Sequence, residues 1–446
     1  MNKSESNYIY LALLHVGIAL AIFYIPFLSK IYAILIAVFG TYYIIKNNNR
    51  NNEVLYVSAY LIGVEVFLRM TGGNLNNEFV KTAVSILMLL GFILSGFSKN
   101  SIIYWFYFLL LLPAVLVTMS NEDLNVEIRK AITFNISGPI CLGLCAIYCY
   151  QRKVSFTQLQ NIVVLLGLPI ISTLVFLILY NPSVRDVVRG TQSNFATSGG
   201  FGPNQVSTIL GLGMFVFFCQ FIFLSKSKII LILNGFLLLL TSYRAIVTFS
   251  RGGVITGAMM VVFVLIAAYL YSNPTGKAKV KWLVVLSGIL TLSVWSYSVI
   301  QTRGLITKRY ANQDVAGRVK SDRLGGRELI IGTELQLFKE NPIFGVGIGM
   351  GKSYREQLLG IEVASHNEIT RLLAEHGMFG VLILFVLFLV PLILFLINHQ
   401  NIYFFSFYIF WFLTINHAAM RIAAPAFIYA LTLLNVQFKP MQKEIV

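Results

Sequence analysis

Ser365-His366-Asn367-Glu368-Ile369-Thr370-Arg371 holds the residue types most suited to proton transfer in this chain, and it closes the one long polar segment of an otherwise apolar sequence. Ser365 followed three residues later by Glu368 is a capping-box pattern, and Ile369, Leu372, Leu373 and His376 continue at helical spacing. This predicts a helix with His366 in its first turn. Backbone N–H groups and the dipole there disfavour an imidazolium, so His366 is expected to be neutral and able to accept a proton. The same helix start would favour a phosphate. His15, His376, His399 and His417 lack such a setting and read as structural.

Arginines supply the matching anion chemistry. Ser250-Arg251-Gly252-Gly253 joins two apolar runs, and its glycines would let an anion approach the backbone while Arg251 offers a forked donor. A boundary arginine reaching lipid headgroups has the same local sequence, and Arg244, a turn or two earlier, fits either role. Arg185 and Arg189 precede Gly199-Gly200-Phe201-Gly202-Pro203-Asn204-Gln205, whose proline suits a helix start; solvated loop charge is the alternative for both. Arg303, Arg309, Arg318, Arg323 and Arg327 add cations, with Gly326-Arg327-Glu328 opening an amphipathic helix that Asn341-Pro342 stops.

Other motifs narrow the chemistry. Gly345-Val346-Gly347-Ile348-Gly349-Met350-Gly351 matches neither the dinucleotide fingerprint nor the P-loop, and reads as a close turn beneath a substrate. The only aspartates are at 123, 186, 314 and 322, none paired as in the metal sites of many sugar-nucleotide transferases. No metal and no cofactor are expected, so an anionic leaving group would rest on arginines. Glu65 and Arg69 are spaced to neutralise one another. Cys141, Cys145 and Cys149 line one helical face, where packing is the simpler reading.

The elements that must position these residues are membrane helices. Of 446 residues, 57% are hydrophobic and 12% charged, about half the charge of an ordinary soluble domain. Apolar runs near 20 residues suit helices across roughly 30 Å of hydrocarbon, and alternating strands are absent, which excludes a β-barrel. The fold class is all-α polytopic membrane, with twelve to fourteen spans. They fall near 8–26, 29–45, 54–70, 78–97, 101–118, 130–149, 159–180, 204–224, 229–248, 254–272, 281–299, 379–397, 402–416 and 422–437. No cleavable signal is read at the start, and the first helix is expected to stay in the membrane.

The net charge of +16 follows membrane topology rather than a nucleic-acid partner. With a cytoplasmic N-terminus, alternate loops carry Lys46 and Arg50, Lys99, Arg152 and Lys153, Lys226 and Lys228, Lys277 to Lys281, then Lys439 and Lys443. Lys30, Lys81, Arg129 and Lys130 oppose this, accompanied by Glu78, Glu122, Asp123 and Glu127. The loop 181–202, the Arg251 turn and the segment 301–379 then share the outer face. The expected organisation is N-terminal spans 1–180, a span region with arginine-bearing outer loops 181–300, a large outer loop 301–379 and C-terminal spans 380–446.

Together the motifs at 201–205, 250–253, 326–328, 341–349 and 365–380 resemble the O-antigen ligase and polymerase superfamily of bacterial membrane glycosyltransferases; the first 180 residues resemble only generic spans. The resemblance implies an inner-membrane enzyme with a periplasmic loop capping a lipid-open cavity. It implies transfer of a glycan from undecaprenyl pyrophosphate to a hydroxyl of lipid A core, another lipid-linked glycan or a protein. By position, His366 matches a histidine that activates or orients the acceptor, and Arg251 an arginine that binds pyrophosphate. Arg189 or Arg185 matches a second arginine more loosely, and Arg327 is a further candidate. The expected activity is ligase onto lipid A core. O-antigen or exopolysaccharide polymerase and protein O-oligosaccharyltransferase share the motifs. A lipid-linked glycan flippase is the reading from another class, weakened by the lack of internal repeats and midplane ion-coupling charges.

Overall fold

In a computed structural model of the chain, residues 3–121, 125–320, 327–360 and 363–438 are described. Glu122, Asp123, Asp322, Arg323, Gly326, Lys439 and Lys443 lie outside them. The chain is an all-α polytopic membrane protein. Among the described residues the two named strands are Lys153–Ser155 and Asn435–Gln437, three residues each and paired in parallel with Val154 opposite Val436. Among the described residues, ten helices are long and apolar enough to cross a membrane.

Several expected spans are shorter or more charged than that. Glu53–Met70 carries Glu53, Glu65 and Arg69, Phe79–Ser95 has 17 residues and Phe404–His417 has 14. The run read as a span at 422–437 folds instead as the eight-residue helix Ala424–Leu431 followed by a strand. Its residues are almost all buried. An apolar run of that length is equally suited to protein core, and here core burial wins over lipid exposure.

The chain forms two compact units that alternate along the sequence, one of residues 1–77, 156–320 and 402–410, the other of 78–155, 321–401 and 411–446. In the first, small residues set helix contacts. A Cβ on Gly253 would lie 2.2 Å from the backbone of Ser207, and one on Gly211 would lie 2.1 Å from the carbonyl oxygen of Gly253. Gly253 and Gly257 therefore face Ser207 and Gly211 across a four-residue repeat, the close approach that small residues allow between membrane helices. This packing role replaces the anion approach expected of Gly253. In the same unit Arg69 donates to Glu65 at 2.9 Å, as their spacing predicts.

The second unit packs Phe79–Ser95, Ile102–Asn121, Val126–Cys149 and Met378–Ile397 with the short helix Ala424–Leu431. Trp411 and Tyr429 are fully buried there, their rings 4.9 Å apart, and Tyr429 hydrogen-bonds Tyr104 at 2.7 Å. Cys141, Cys145 and Cys149 are free and buried, a packed face. The segment after residue 326 folds as three helices, Arg327–Glu340, Gly351–Leu359 and Glu368–His376. The glycine run before Gly351 caps the last of them: Val346 and Gly347 donate their N–H groups to the carbonyls of Ala374 and Glu375 at 2.9 and 3.2 Å. Helix ends leave such carbonyls without partners, and Gly345, Gly347 and Gly349 all adopt the positive φ this path needs.

Candidate active-site residues in the two units

In the second unit, the helix carrying the expected chemistry begins two residues later than its sequence suggests. Asn367 is the N-cap, its Oδ1 accepting from the N–H groups of Ile369 and Thr370 at 2.9 and 3.4 Å. Ser365 Oγ accepts only from Asn367 N–H. His366 therefore precedes the cap and is not in the first turn. Asparagine caps as well as serine does, and Glu368 is drawn to Arg371 instead of reaching back to complete a capping box.

His366 is half-buried, and its Nδ1 is buried without a hydrogen-bond partner. Burial, then the charges of Arg421, Arg327 and Arg355 and the nearby His417, lower its pKa to about 4. That lowering comes from desolvation and clustered cations, not from a helix terminus, since His366 lies before the cap. Of the expected site residues, Arg327 is thus brought to His366.

The loop before the cap is held by two arginines that the sequence reading passed over. Arg355 donates from Nε to the Val363 carbonyl at 2.9 Å, and Arg421 from Nη2 to the Ser365 carbonyl at 3.0 Å. Arg355 is paired with Glu334 at 2.8 Å, whose second oxygen accepts from the Thr370 hydroxyl at 2.5 Å. Beside this tie, Arg371 lies between Glu368 and Glu375 and reaches Asn135. A cavity of about 30 Å³ opens among Asn135, Ser365, Glu368, Arg371 and Arg421, room for a single small polar group or water. Arg421 carried a readable signal, an arginine inside an apolar run; Glu334 and Arg355 carried none.

In the first unit, Arg251 is the first residue of the helix Arg251–Leu270, with Ser250 extended at the cap. The turn before it is pinned on every side. Ser250 Oγ donates to Asn204 Oδ1 at 2.9 Å, Ser207 Oγ donates to the Ser250 carbonyl at 2.9 Å, and Thr248 Oγ1 accepts from Ser250 N–H at 3.1 Å. The Gly202-Pro203-Asn204 motif is thereby explained: Pro203 starts a helix whose Asn204 and Ser207 fix the Arg251 turn. Phe249 is fully buried yet has φ of 59°, a conformation that bulky residues adopt only when their surroundings enforce it.

Tyr310, also passed over, joins Arg251 to a large cavity. Its hydroxyl is buried without a hydrogen-bond partner; burial raises its pKa to about 12 while Arg251 and Arg309 pull the other way. The same ring lines an apolar cavity of about 500 Å³, with Met214, Phe218, Leu238, Val262 and Trp295 among its walls. Arg185 and Arg189 are exposed and show no hydrogen bond or ion pair among the described residues; their neighbours Val184 and Val188 pack in the cluster that holds Phe249 and Ile306. Arg244 is buried, both Nη atoms donating to the Asn181 carbonyl at 3.2 Å, a structural tie. Arg318 pairs with Asp314 at the surface.

Among the described residues, no group of three or more histidine, cysteine or acidic side chains is arranged to hold a metal ion. No curated protein matches the chain. Residues 236–385, which contain Arg251, Arg309, Tyr310, Arg327, Arg355 and His366, match the model of a family described as O-antigen ligase. A domain of that family thus covers the Arg251 helix and the polar helices around His366, and over these residues the chain is similar to O-antigen ligases.

Proposed function

We propose that this protein transfers a glycan from undecaprenyl pyrophosphate to an acceptor hydroxyl, acting as a ligase onto lipid A core at the periplasmic face of the bacterial inner membrane. The observation that carries this reading is His366, half-buried just before a helix with its Nδ1 unpartnered, where burial and nearby arginines lower its pKa. A neutral imidazole can take the proton of an attacking hydroxyl, a contribution of about 10²- to 10⁴-fold to rate.

In the proposed step the acceptor oxygen attacks the anomeric carbon and its proton passes to His366. The bond from that carbon to the pyrophosphate oxygen breaks, and the electron pair leaves with undecaprenyl pyrophosphate. Arg327, beside His366, is assigned to the developing charge, which preorganised donors stabilise more in the transition state than in the ground state, and Arg251 and Arg309 to binding the pyrophosphate of the donor. Arg185 and Arg189, exposed in their loop, are assigned to drawing in the anionic donor. The apolar cavity beside Tyr310 has the size and lining of a lipid-tail site. Direct displacement inverts the anomeric centre, and a product of retained configuration would remove that step. The assignment needs no metal, so chelation should leave the rate unchanged.

In this reading the chemistry resides in 181–300 and 301–379, with 1–180 and 380–446 as the surrounding membrane frame. The test is a profile of surface and lipid-linked glycans from a deletion strain, complemented with wild type or His366→Ala. Long chains stranded on undecaprenyl pyrophosphate with bare lipid A core support the ligase. Core carrying one repeat and no ladder would make the protein a polymerase, and unmodified protein acceptors would make it a protein-glycosylating transferase. Normal transfer by both His366→Ala and Arg251→Ala would favour the transporter.

A further inference from the structure

Glu334 connects three helices through buried contacts. It sits on Arg327–Glu340, accepts from Arg355 of Gly351–Leu359 at 2.8 Å, and accepts from Thr370 of Glu368–His376 at 2.5 Å. Glu334 and Arg355 are 1% and 3% exposed. A buried ion pair is a poor means of adding stability, because desolvation offsets most of its attraction. This one does something more specific: the remaining Nε of Arg355 is spent on the carbonyl of Val363, three residues before His366.

We propose that Glu334, Arg355 and Thr370 form a buried tie that positions the Val363–Asn367 loop, so that Glu334 and Arg355 are positioning residues for His366. The proposal rests on His366 as the proton acceptor. The tie acts in two ways. It fixes the loop at Val363 and at Thr370, on either side of the histidine, while Arg421 fixes Ser365. It also keeps one guanidinium close to the imidazole. The groups facing His366 are Arg327 from its helix, Arg355 from the next, His417 from the end of Phe404–His417, and Arg421. All are basic, so each keeps the resting imidazole unprotonated and at the same time weakens it as a base, which leaves the placement of the ring as the tie's contribution to transfer. Glu334 orients the Arg355 fork without contacting His366, and its own pKa is raised by burial against the lowering effect of Thr370 and Arg355.

The test uses the full-length protein in detergent, with Glu334→Gln, Arg355→Met, Arg355→Lys and Thr370→Val compared only where they remain monodisperse. Two readouts are taken: steady-state transfer, and the pH dependence of diethyl pyrocarbonate modification at His366, read by peptide mass spectrometry. Arg355→Met and Glu334→Gln should lower kcat by about 10²-fold, the scale of a reacting group displaced by an ångström, with the donor KM within threefold. The modification midpoint should rise measurably but modestly above about 4 in Arg355→Met, because burial and the larger effects of Arg421 and Arg327 remain, and stay at the wild-type value in Arg355→Lys. Folded variants with the wild-type midpoint and wild-type kcat would overturn the proposal, as would a loss of kcat that leaves the midpoint of Arg355→Met unmoved. If His366→Ala itself transfers at the wild-type rate while the midpoint shifts as described, the catalytic reading fails and the tie stands.

Discussion

Arg309 donates from Nε to the carbonyl of Phe249 at 2.9 Å, two residues before Arg251. The acceptor belongs to a buried aromatic residue held at positive φ, so the bond fastens the turn at its least favourable point. Arg309 also reaches Ser193 at 3.4 Å. An arginine can hold both with one planar fork, whereas lysine is a single point donor. Arg309→Ala should lower transfer by about 10²- to 10³-fold, the usual cost of removing one preorganised donor, and Arg309→Lys should recover only part of it. Initial rates at saturating acceptor measure both.

The pH dependence of transfer follows from His366. In the proposed mechanism its active form is neutral, and burial and the surrounding cations hold its pKa at about 4. Transfer should therefore stay level from pH 8 to about pH 5 and fall as the imidazole protonates, with half the rate lost near pH 4. A half-point near 6.5, the value of a solvated histidine, would place the proton acceptor elsewhere.

His376 makes the opposite contrast. It is buried, both ring nitrogens lack hydrogen-bond partners, and burial with the Arg371 charge lowers its pKa to about 3. Below pH 6.5 the unfolded chain binds a proton that the folded chain does not, so stability falls as pH drops from 6.5 toward 3. At pH 5 the loss is about 2 kcal/mol. His376→Leu removes it and an unpaired buried polar group together. The variant should melt higher than wild type at pH 5, by less at pH 8, and transfer glycan normally.

Gly253 is constrained by contact alone. An added methyl would sit 2.2 Å from the Ser207 backbone, which no side-chain movement relieves. Gly253→Ala should destabilise by about 1–3 kcal/mol, and Gly253→Leu should give little monodisperse protein. A melting temperature of Gly253→Ala equal to wild type would mean the two helices do not pack in this register.

Some features were legible because they are local. The 20-residue apolar runs, the Glu65 and Arg69 spacing and the helix after His366 depend on a few neighbouring residues. Arg327 was nameable from its place at the head of an amphipathic helix. The Ser365 cap failed because Asn367 competes for the same helix end. Glu334, Arg355 and Arg421 matter through partners 21, 8 and 56 residues away, and neither periodicity nor composition encodes such separations. Residues 422–437 were misread because hydropathy does not distinguish lipid from protein interior. The glycine run looked like a ligand turn, yet its amides cap a helix whose end lies some thirty residues on.

The most direct measurement is release of undecaprenyl pyrophosphate by purified, reconstituted protein given a lipid-linked glycan and lipid A core. Wild type, His366→Ala and Arg251→Ala are compared at equal folded concentration. A loss of at least about 10²-fold in each variant, with transfer to core lost in parallel, is the expected result. Release and transfer at the wild-type rate in both variants would contradict the account.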